Sequence, residues 1–256
     1  MAKLRFSRRR WLLGLGLGVP AVALADATQL EPGWLKVRTL RLAKGEVRHR
    51  FVHFTDIHFK GDVAYLRRVV RTINELKPDF ACFTGDLIEE ADHFPAAVEE
   101  LGKLACPLHA IPGNHDHWSE ADMAPLEALC RRSAGAWLVN RQVPLPGTNT
   151  VLSGVDQMNR LPLPVPGATN LLLLHYPGWA DQLPHKGWDL ILAGHTHGGQ
   201  VRLPFLGALI TPFDSGRYEM GLYDTPSGPM HVSAGIGEFY FAIRFRCRPE
   251  ITVVEI

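Results

Sequence analysis

Seven side chains of metal-ligating type stand at the ends of five apolar runs. Asp56 and His58 follow "RFVHFT", Asp86 follows "FACFTG", Asn114 follows "LHAIPG", His175 follows "LLLL", and His195 and His197 follow "LILAG". All seven offer oxygen or imidazole nitrogen and none a thiol. That donor set suits manganese, iron or zinc and differs from a structural cysteine–zinc site. One catalytic ion takes about three protein ligands plus water, so seven suit two ions that share a ligand. A carboxylate such as Asp86 has the two oxygens needed to bridge them. Two cations roughly 3.5–4 Å apart can activate a bridging hydroxide and stabilise in-line displacement at phosphorus. The glycines around His195 and His197 let one short loop turn alternate imidazoles toward both ions.

The apolar runs that must position these groups read as buried strands over 51–55, 80–84, 108–111, 171–174 and 190–193, with further strands at 151–155, 221–223, 231–233 and 251–256. Val63, Leu66, Val69 or Val70, Ile73 and Leu76 recur at helical spacing before Pro78. Helical stretches are also expected over 94–104 and 123–132, and "LPLPVPG" (161–167) as a surface loop. Strand and helix alternate in the first half, which indicates a parallel or mixed sheet with helices outside. The second half is richer in strands. The expectation is an α/β protein of two packed sheets covered by helices, its ligands gathered beyond the carboxyl ends of the strands.

The first 25 residues differ in kind. Lys3, Arg5, Arg8, Arg9 and Arg10 precede an apolar run, Trp11 to Leu24, that ends at Ala23-Leu24-Ala25. This is the order of an export signal, and "SRRRWLL" (7–13) resembles a twin-arginine signal. The run is shorter than the roughly 20 residues of a spanning helix. The expected organisation is a signal peptide or membrane anchor over 1–25, an extended lead-in over 26–44 and one catalytic domain over 45–256. Export to the periplasm, or retention at the inner membrane, follows. The whole chain has 27 basic and 26 acidic residues. Without residues 1–25 it loses five basic residues and no acidic one, leaving a net charge near −4, which argues against a general nucleic-acid binder. Cys82, Cys106, Cys130 and Cys247 form no C-x-x-C pair, and no bridge is assigned.

Taken together, "DIH" (56–58), "GDL" (85–87), "GNHD" (113–116), His175 and "GHTH" (194–197) resemble the calcineurin-like metallophosphoesterase superfamily. "GHTHGGQVRLP" is similar to its exported or membrane-attached bacterial branch, some of whose members cleave the pyrophosphate of UDP-2,3-diacylglucosamine. The resemblance implies a four-layer αββα sandwich of two mixed sheets flanked by helices. It implies that Asp56, His58, Asp86 and His197 hold one divalent ion and that Asp86, Asn114, His175 and His195 hold a second. Manganese is the first expectation, with iron, zinc or magnesium as alternatives. His115 would be the general acid, and Asp116 would orient it, with capping of the helix that follows as the alternative. The implied activity is hydrolysis of a phosphodiester or pyrophosphate bond in a phosphorylated small molecule or a lipid-linked substrate. A broad-range periplasmic phosphodiesterase is the alternative, and a non-catalytic scaffold a weaker one because every ligand is present. The chain reads "GDLIEEA" where protein Ser/Thr phosphatases carry Gly-Asp-x-x-Asp-Arg-Gly, so the phosphate-clamping arginine of that branch is missing.

Other groups read more plainly. His53, His93, His109, His185 and His231 are expected to be structural or solvated. His117 faces either substrate or solvent, and Arg202 either a phosphate or water. Arg244, Arg246 and Arg248 alternate as on one polar strand face. "PFLGALI" (204–210) is expected as core rather than as an acyl or bilayer contact. "GIGEFYFA" (235–242) gives a similar choice, core or, through Phe239 and Tyr240, walls of a binding cleft.

Overall fold

Neighbouring residues of a single strand serve different cores. A computed structural model describes residues 18–158 and 160–256; most of the expected signal segment lies outside them. In strand β2 (Arg50–Phe54), Val52 and Phe54 pack toward helices while Phe51 packs toward a second sheet. In β8 (Thr169–Leu174), Leu171 and Leu173 face the first sheet and Leu172 and Leu174 face outward. In β9 (Leu190–Ala193), Leu190 and Leu192 face inward and Ile191 and Ala193 outward. Side chains alternate across a strand, so runs that are apolar at every position must be covered on both faces.

Two six-stranded sheets result. The first runs β1 (Lys36–Arg41), β14 (Glu250–Glu255), β2, β3 (Ala81–Phe83), β4 (Leu108–Ala110), β5 (Ala136–Trp137). The second runs β12 (Gly221–Thr225), β13 (Gly228–Val232), β9, β8, β7 (Thr150–Val155), β6 (Arg141–Pro144). Both are mixed: β2 to β5 are mutually parallel and β14 opposes β2, while β7, β8, β9 and β13 are parallel and the edge strands β6 and β12 oppose them. A hairpin of β10 (Arg202–Leu203) and β11 (Gly207–Ala208) stands apart.

Helices α1 (Val63–Glu75), α2 (Phe94–Leu101) and α4 (Ala124–Arg132) cover the first sheet; a short α3 (Asn114–Trp118) follows β4. In α1 the expected face is buried through Leu66, Val69, Val70 and Ile73, each such side chain stabilising the fold by about 1.5–3 kcal/mol. Asp62 caps the helix by accepting from Tyr65 N at 2.9 Å, and Lys77 (φ 47°) turns the chain out before Pro78. The second sheet's outer face carries a thinner cover, including the 3-10 segment Pro177–Asp181, with Trp188 and Tyr218. The architecture is an α/β fold of two mixed sheets flanked by helices.

The segment read from sequence as an extended lead-in is helical over Asp26–Leu30 and Glu31–Gly33, then forms edge strand β1 in parallel with β14. Glu31 is buried because its carboxylate accepts from Arg246 N and Cys247 N. All four cysteines are free and buried. Two expectations are corrected. Residues 244–248 are not a strand with a polar face: Arg244 is fully buried and donates to the carbonyls of Ala234, Gly237 and Cys247. Nor is 204–210 core: Phe205, Leu206, Leu209 and Ile210 are all exposed.

Candidate metal centre

The site forms because parallel strands end on one edge. Asp56 and His58 leave β2, Asp86 leaves β3, and Asn114 and His115 open α3 after β4; His175 leaves β8, and His195 and His197 leave β9. The first two loops stay zipped beyond the sheet, with Asp56 N donating to Gly85 O (2.9 Å), His58 N to Asp86 O (3.1 Å) and Phe59 N to Leu87 O (2.8 Å). Five of the seven expected ligands take left-handed backbone: Asp56 (φ 52°), His58 (43°), Asp86 (58°), His195 (70°) and His197 (49°). A non-glycine residue held there costs about 1–3 kcal/mol and persists only where its surroundings fix it. Two glycines make room for this. A Cβ on Gly113 would lie 2.2 Å from Asp86 Oδ1, and one on Gly194 would lie 2.3 Å from Thr55 Oγ1.

All seven expected ligands converge, and each is buried. His197 Nε2 lies 3.7 Å from Asp56 Oδ1 and 2.9 Å from His58 Nε2. His58 Nε2 lies 3.6 Å, and His175 Nε2 3.2 Å, from the same oxygen, Asp86 Oδ2. Asn114 Oδ1 is 3.0 Å from His175 Nε2. Asp86, His175 and His195 form one ligand cluster and Asp56, His58 and His197 another. His58, Asp86 and His115 form a third, so Asp86 and His58 lie between the groups.

The outward ring nitrogens face acceptors: His175 Nδ1 meets Thr84 O at 2.7 Å, His195 Nε2 meets Phe213 O at 2.7 Å, and His197 Nδ1 meets Gly237 O at 3.3 Å. Each such partner fixes the tautomer that leaves the opposite nitrogen as a lone pair. The centre is then a set of acceptors facing one another, the arrangement a cation satisfies and a solvent-excluded protein otherwise does not. His58 Nδ1 and Glu89 Oε1 lie buried 3.2 Å apart, and a proton on that Nδ1 turns the His58 Nε2 lone pair toward the same centre. The residues therefore fit divalent ions.

Charges respond accordingly. Burial lowers the His175 pKa, but the Asp86 carboxylate outweighs burial and brings it up to about 9. Burial raises that of Asp86, and His175 with His58 overrides this to hold its carboxyl well below the usual range. Burial pushes Asp56 up to about 6 and His195 down to about 3.

His115 is set differently. Its ring packs edge-on against Trp118 at 4.9 Å and Phe239 at 5.1 Å, and burial lowers its pKa. Of the two roles expected for Asp116, the structure shows the helix cap, with its carboxylate turned to backbone. The Asp116 carboxylate accepts from the backbone N–H groups of Gly113 (2.9 Å), Asp86 (2.8 Å) and Leu87 (2.8 Å). It binds the Asp86 loop to the start of α3, while the aromatic neighbours orient His115.

Sequence reading missed Glu89, which ion-pairs with Lys60 at 3.1 Å beside His58. It also missed Trp118, although three residues on a helix place it on the face of His115. His117 turns away to Asp156 Oδ1 at 2.6 Å, which raises its pKa. Arg202 pairs with Glu219 at 2.8 Å and donates to Gly198 O, serving the loop rather than an open phosphate site. His53 and His231 are core, 3.3 Å apart between the sheets. Above the ligands opens a cleft of about 540 Å³ walled by Trp118, Ile210, Phe213, Phe239, Tyr240 and Phe241, among others.

Comparison with known proteins adds three likenesses and a family match. Residues 49–199 match the model of the calcineurin-like phosphoesterases. The chain is 32% identical to the uncharacterized metallophosphoesterase YkuE of Bacillus subtilis, over 97% of this chain and 97% of that protein. It is 31% identical to the phosphodiesterase YaeI of Escherichia coli, over 88% of this chain and 90% of that protein. It is 25% identical to the UDP-2,3-diacylglucosamine pyrophosphatase LpxG of Chlamydia trachomatis, over 93% and 94%.

Proposed function

The chain belongs to the calcineurin-like phosphoesterases, and on that premise we propose that it hydrolyses a phosphodiester or pyrophosphate bond in a lipid-linked substrate. The clustered His and Asp residues make the domain a metal-dependent hydrolase. The observation that carries the finer reading is the cleft lining: ligands below, aromatic and aliphatic groups above, and no Lys or Arg among them. A phosphomonoester dianion would find no cationic clamp there. A singly charged diester with an apolar substituent meets a wall of matching character. UDP-2,3-diacylglucosamine, named for the Chlamydia trachomatis relative, carries a single charge on each phosphorus of its pyrophosphate and apolar acyl chains. The name of the Escherichia coli relative, a phosphodiesterase, favours the second reading, in which the chain is a periplasmic phosphodiesterase.

Asp56, His58, Asp86 and His197 would hold one ion in this reading, and Asp86, Asn114, His175 and His195 the other, with manganese preferred over iron, zinc or magnesium. When bound, two divalent cations supply Lewis acidity toward phosphoryl oxygens and a nucleophile from water at neutral pH. The chain supplies the rest. Thr84 O, Phe213 O and Gly237 O hold the imidazoles in the ligating tautomer. His115 passes a proton from its imidazole to the departing oxygen, and the burial that lowers its pKa makes the protonated ring a stronger acid. Trp118 and Phe239 keep that ring aimed into the cleft and exclude water from one side. Asp116 holds the Asp86 loop, and with it the shared carboxylate. The N-terminal 25 residues direct export or hold the chain at the inner membrane, ahead of a catalytic domain that takes in the 26–44 segment through β1 and Glu31.

The test is a panel of UDP-diacylglucosamine, a simple aryl phosphodiester and a phosphomonoester, assayed with manganese and other divalent ions. Diester or pyrophosphate hydrolysis that needs added metal and stops with chelator is expected. Turnover of the monoester alone, or turnover indifferent to chelator, overturns the reading.

A further inference from the structure

Exposed large apolar side chains are not scattered over this molecule. Among the described residues all but Val37, Leu163 and Leu222 fall on four segments. One is the β10–β11 hairpin and its exit, with Leu203, Phe205, Leu206, Leu209, Ile210 and Phe213. Another is the Tyr240–Phe241 turn, and a third is Trp118 on α3. The fourth is the N-terminal segment, with Val19, Val22, Leu24, Leu30 and Trp34. Leu209, Ile210 and Phe213 of the first, with Trp118, Tyr240 and Phe241, wall the metal-centre cleft, and the hairpin tip projects beside them. At the hairpin tip Phe205 is fully exposed, and its backbone is left-handed at φ 68°.

The fourth segment meets the same edge. Arg244 N donates to Ala27 O at 2.9 Å, and Glu31 accepts from the next two backbone groups but one, Arg246 N and Cys247 N. That loop in turn grips the root of the hairpin: Arg202 N donates to Phe245 O at 3.0 Å and Phe245 N to Gln200 O at 2.8 Å. The Gln200 amide then reaches Phe241 O and Ile243 O at 3.2 and 3.1 Å. Hairpin, aromatic turn and N-terminal segment thus share one hydrogen-bonded junction. The chain that enters it comes from the apolar run Trp11–Leu24, flanked by five basic residues.

We infer that this rim is a bilayer-docking surface: the hairpin tip and the Tyr240–Phe241 turn enter the lipid interface and set the metal-centre cleft against headgroup phosphates. Apolar patches of this kind on a soluble surface mark partners, and the chain's own apolar entry segment names lipid as the partner here. Aromatic and aliphatic side chains protruding at loop tips suit the interfacial region, where buried apolar area supplies the binding. The arrangement also accounts for a cleft without Lys or Arg: a lipid-borne diester would be brought in by its membrane rather than by a charge clamp. Docking itself does not depend on the substrate; only the activity readout below rests on the proposed phosphodiesterase function.

The test uses the full chain and vesicles of phosphatidylethanolamine and phosphatidylglycerol. A Leu206→Trp probe is expected to shift its emission to the blue on adding vesicles, and brominated lipids are expected to quench it. Taken as the difference from wild type, whose own six tryptophans include Trp11 and Trp34, the added signal reads the tip apart from the N-terminal segment. A Phe205→Asn, Leu206→Ser double variant changes tip residues outside the cleft lining. It should keep its turnover of a soluble aryl diester and lose at least about tenfold against the same diester carried in vesicles. A probe that stays unshifted and unquenched in vesicle-bound protein overturns the inference. So does an equal effect on both substrates, or a self-association that the double variant abolishes, which would make the partner a second copy of this chain. Failure of hydrolysis in every protein, with the probe still quenched, would fall on the proposed activity and not on the docking.

Discussion

Asp86 and Phe205 stand at the bottom and the lip of one cleft, and both have left-handed backbone, at φ 58° and 68°. At the bottom that conformation is locked. Asp86 N and Leu87 N donate to Asp116, His58 N donates to Asp86 O, and no space remains for a Cβ on Gly113. At the lip it turns a two-residue-per-strand hairpin outward into solvent. The floor is polar, buried and crowded with acceptors; the lip is apolar and open. A hydrolase needs a rigid floor because its ligands must keep their geometry as charge moves. Its lip needs only to bring a bond to that floor. Substitutions should therefore separate cleanly: those on the floor abolish chemistry or metal binding, and those on the lip change which substrates arrive.

The largest expected effect is Asp86→Ala. It removes the carboxylate that faces both His58 and His175, and turnover of a soluble diester should fall roughly 10³-fold or more, with metal content below that of the wild type by elemental analysis. A floor whose two halves were independent would instead keep one full site. His115→Asn comes next. Loss of a general acid costs about 10²–10⁴ in rate, here with both ions retained, because the ring's neighbours are aromatic rather than ligating on that side. Lost metal, or an unchanged rate, would return His115 to the ligand set that its place beside His58 and Asp86 also permits.

Glu89→Ala sharpens the boundary of the floor. Its carboxylate sits 3.2 Å from His58 Nδ1, where it favours a proton on that nitrogen and a lone pair on Nε2. Removing such a partner typically weakens metal affinity by about 10–100-fold. Glu89→Gln should recover part of this, since its amide oxygen still accepts. Equal losses in both variants, measured as cation affinity by calorimetry, would mean that only the local charge matters.

The floor was legible in the sequence and the lip only at Phe239 and Tyr240, for a physical reason. Ligand chemistry narrows residue type, so Asp56, Asp86, Asn114 and the histidines stand out wherever an apolar run ends. Burial of a run such as 204–210 depends on whether another element covers it, and no local pattern records that. Composition made those residues look like core, and they are exposed. Arg244 failed in the opposite sense. Its partners are the carbonyls of Ala234, Gly237 and Cys247, and a carbonyl has no letter in the sequence. Glu89 was invisible for a related reason: it lies three residues past Asp86 and is recruited only because the β2 and β3 loops run side by side.

The smallest effect concerns neither floor nor lip, and it calibrates both. Arg67 of α1 and Lys103 hold Glu100 of α2 at 2.7 and 2.6 Å, and these hydrogen bonds bring its pKa down to about 2 from 4.5. A carboxyl lowered in the folded state contributes stability that is fully present above the unfolded value and is lost as pH falls through the folded one. The urea midpoint of wild type should therefore drop between about pH 4.5 and pH 2, and Glu100→Gln should flatten that window. Exposed cations limit the gain through solvent screening. The clamp joins the helices that cover the first sheet, far from both cleft surfaces, so Glu100→Gln should leave soluble-diester turnover and vesicle binding at neutral pH unchanged. A variant that lost either would show that the floor's geometry depends on the helical layer, and the division between floor and lip would have to be redrawn with the helices as a third part.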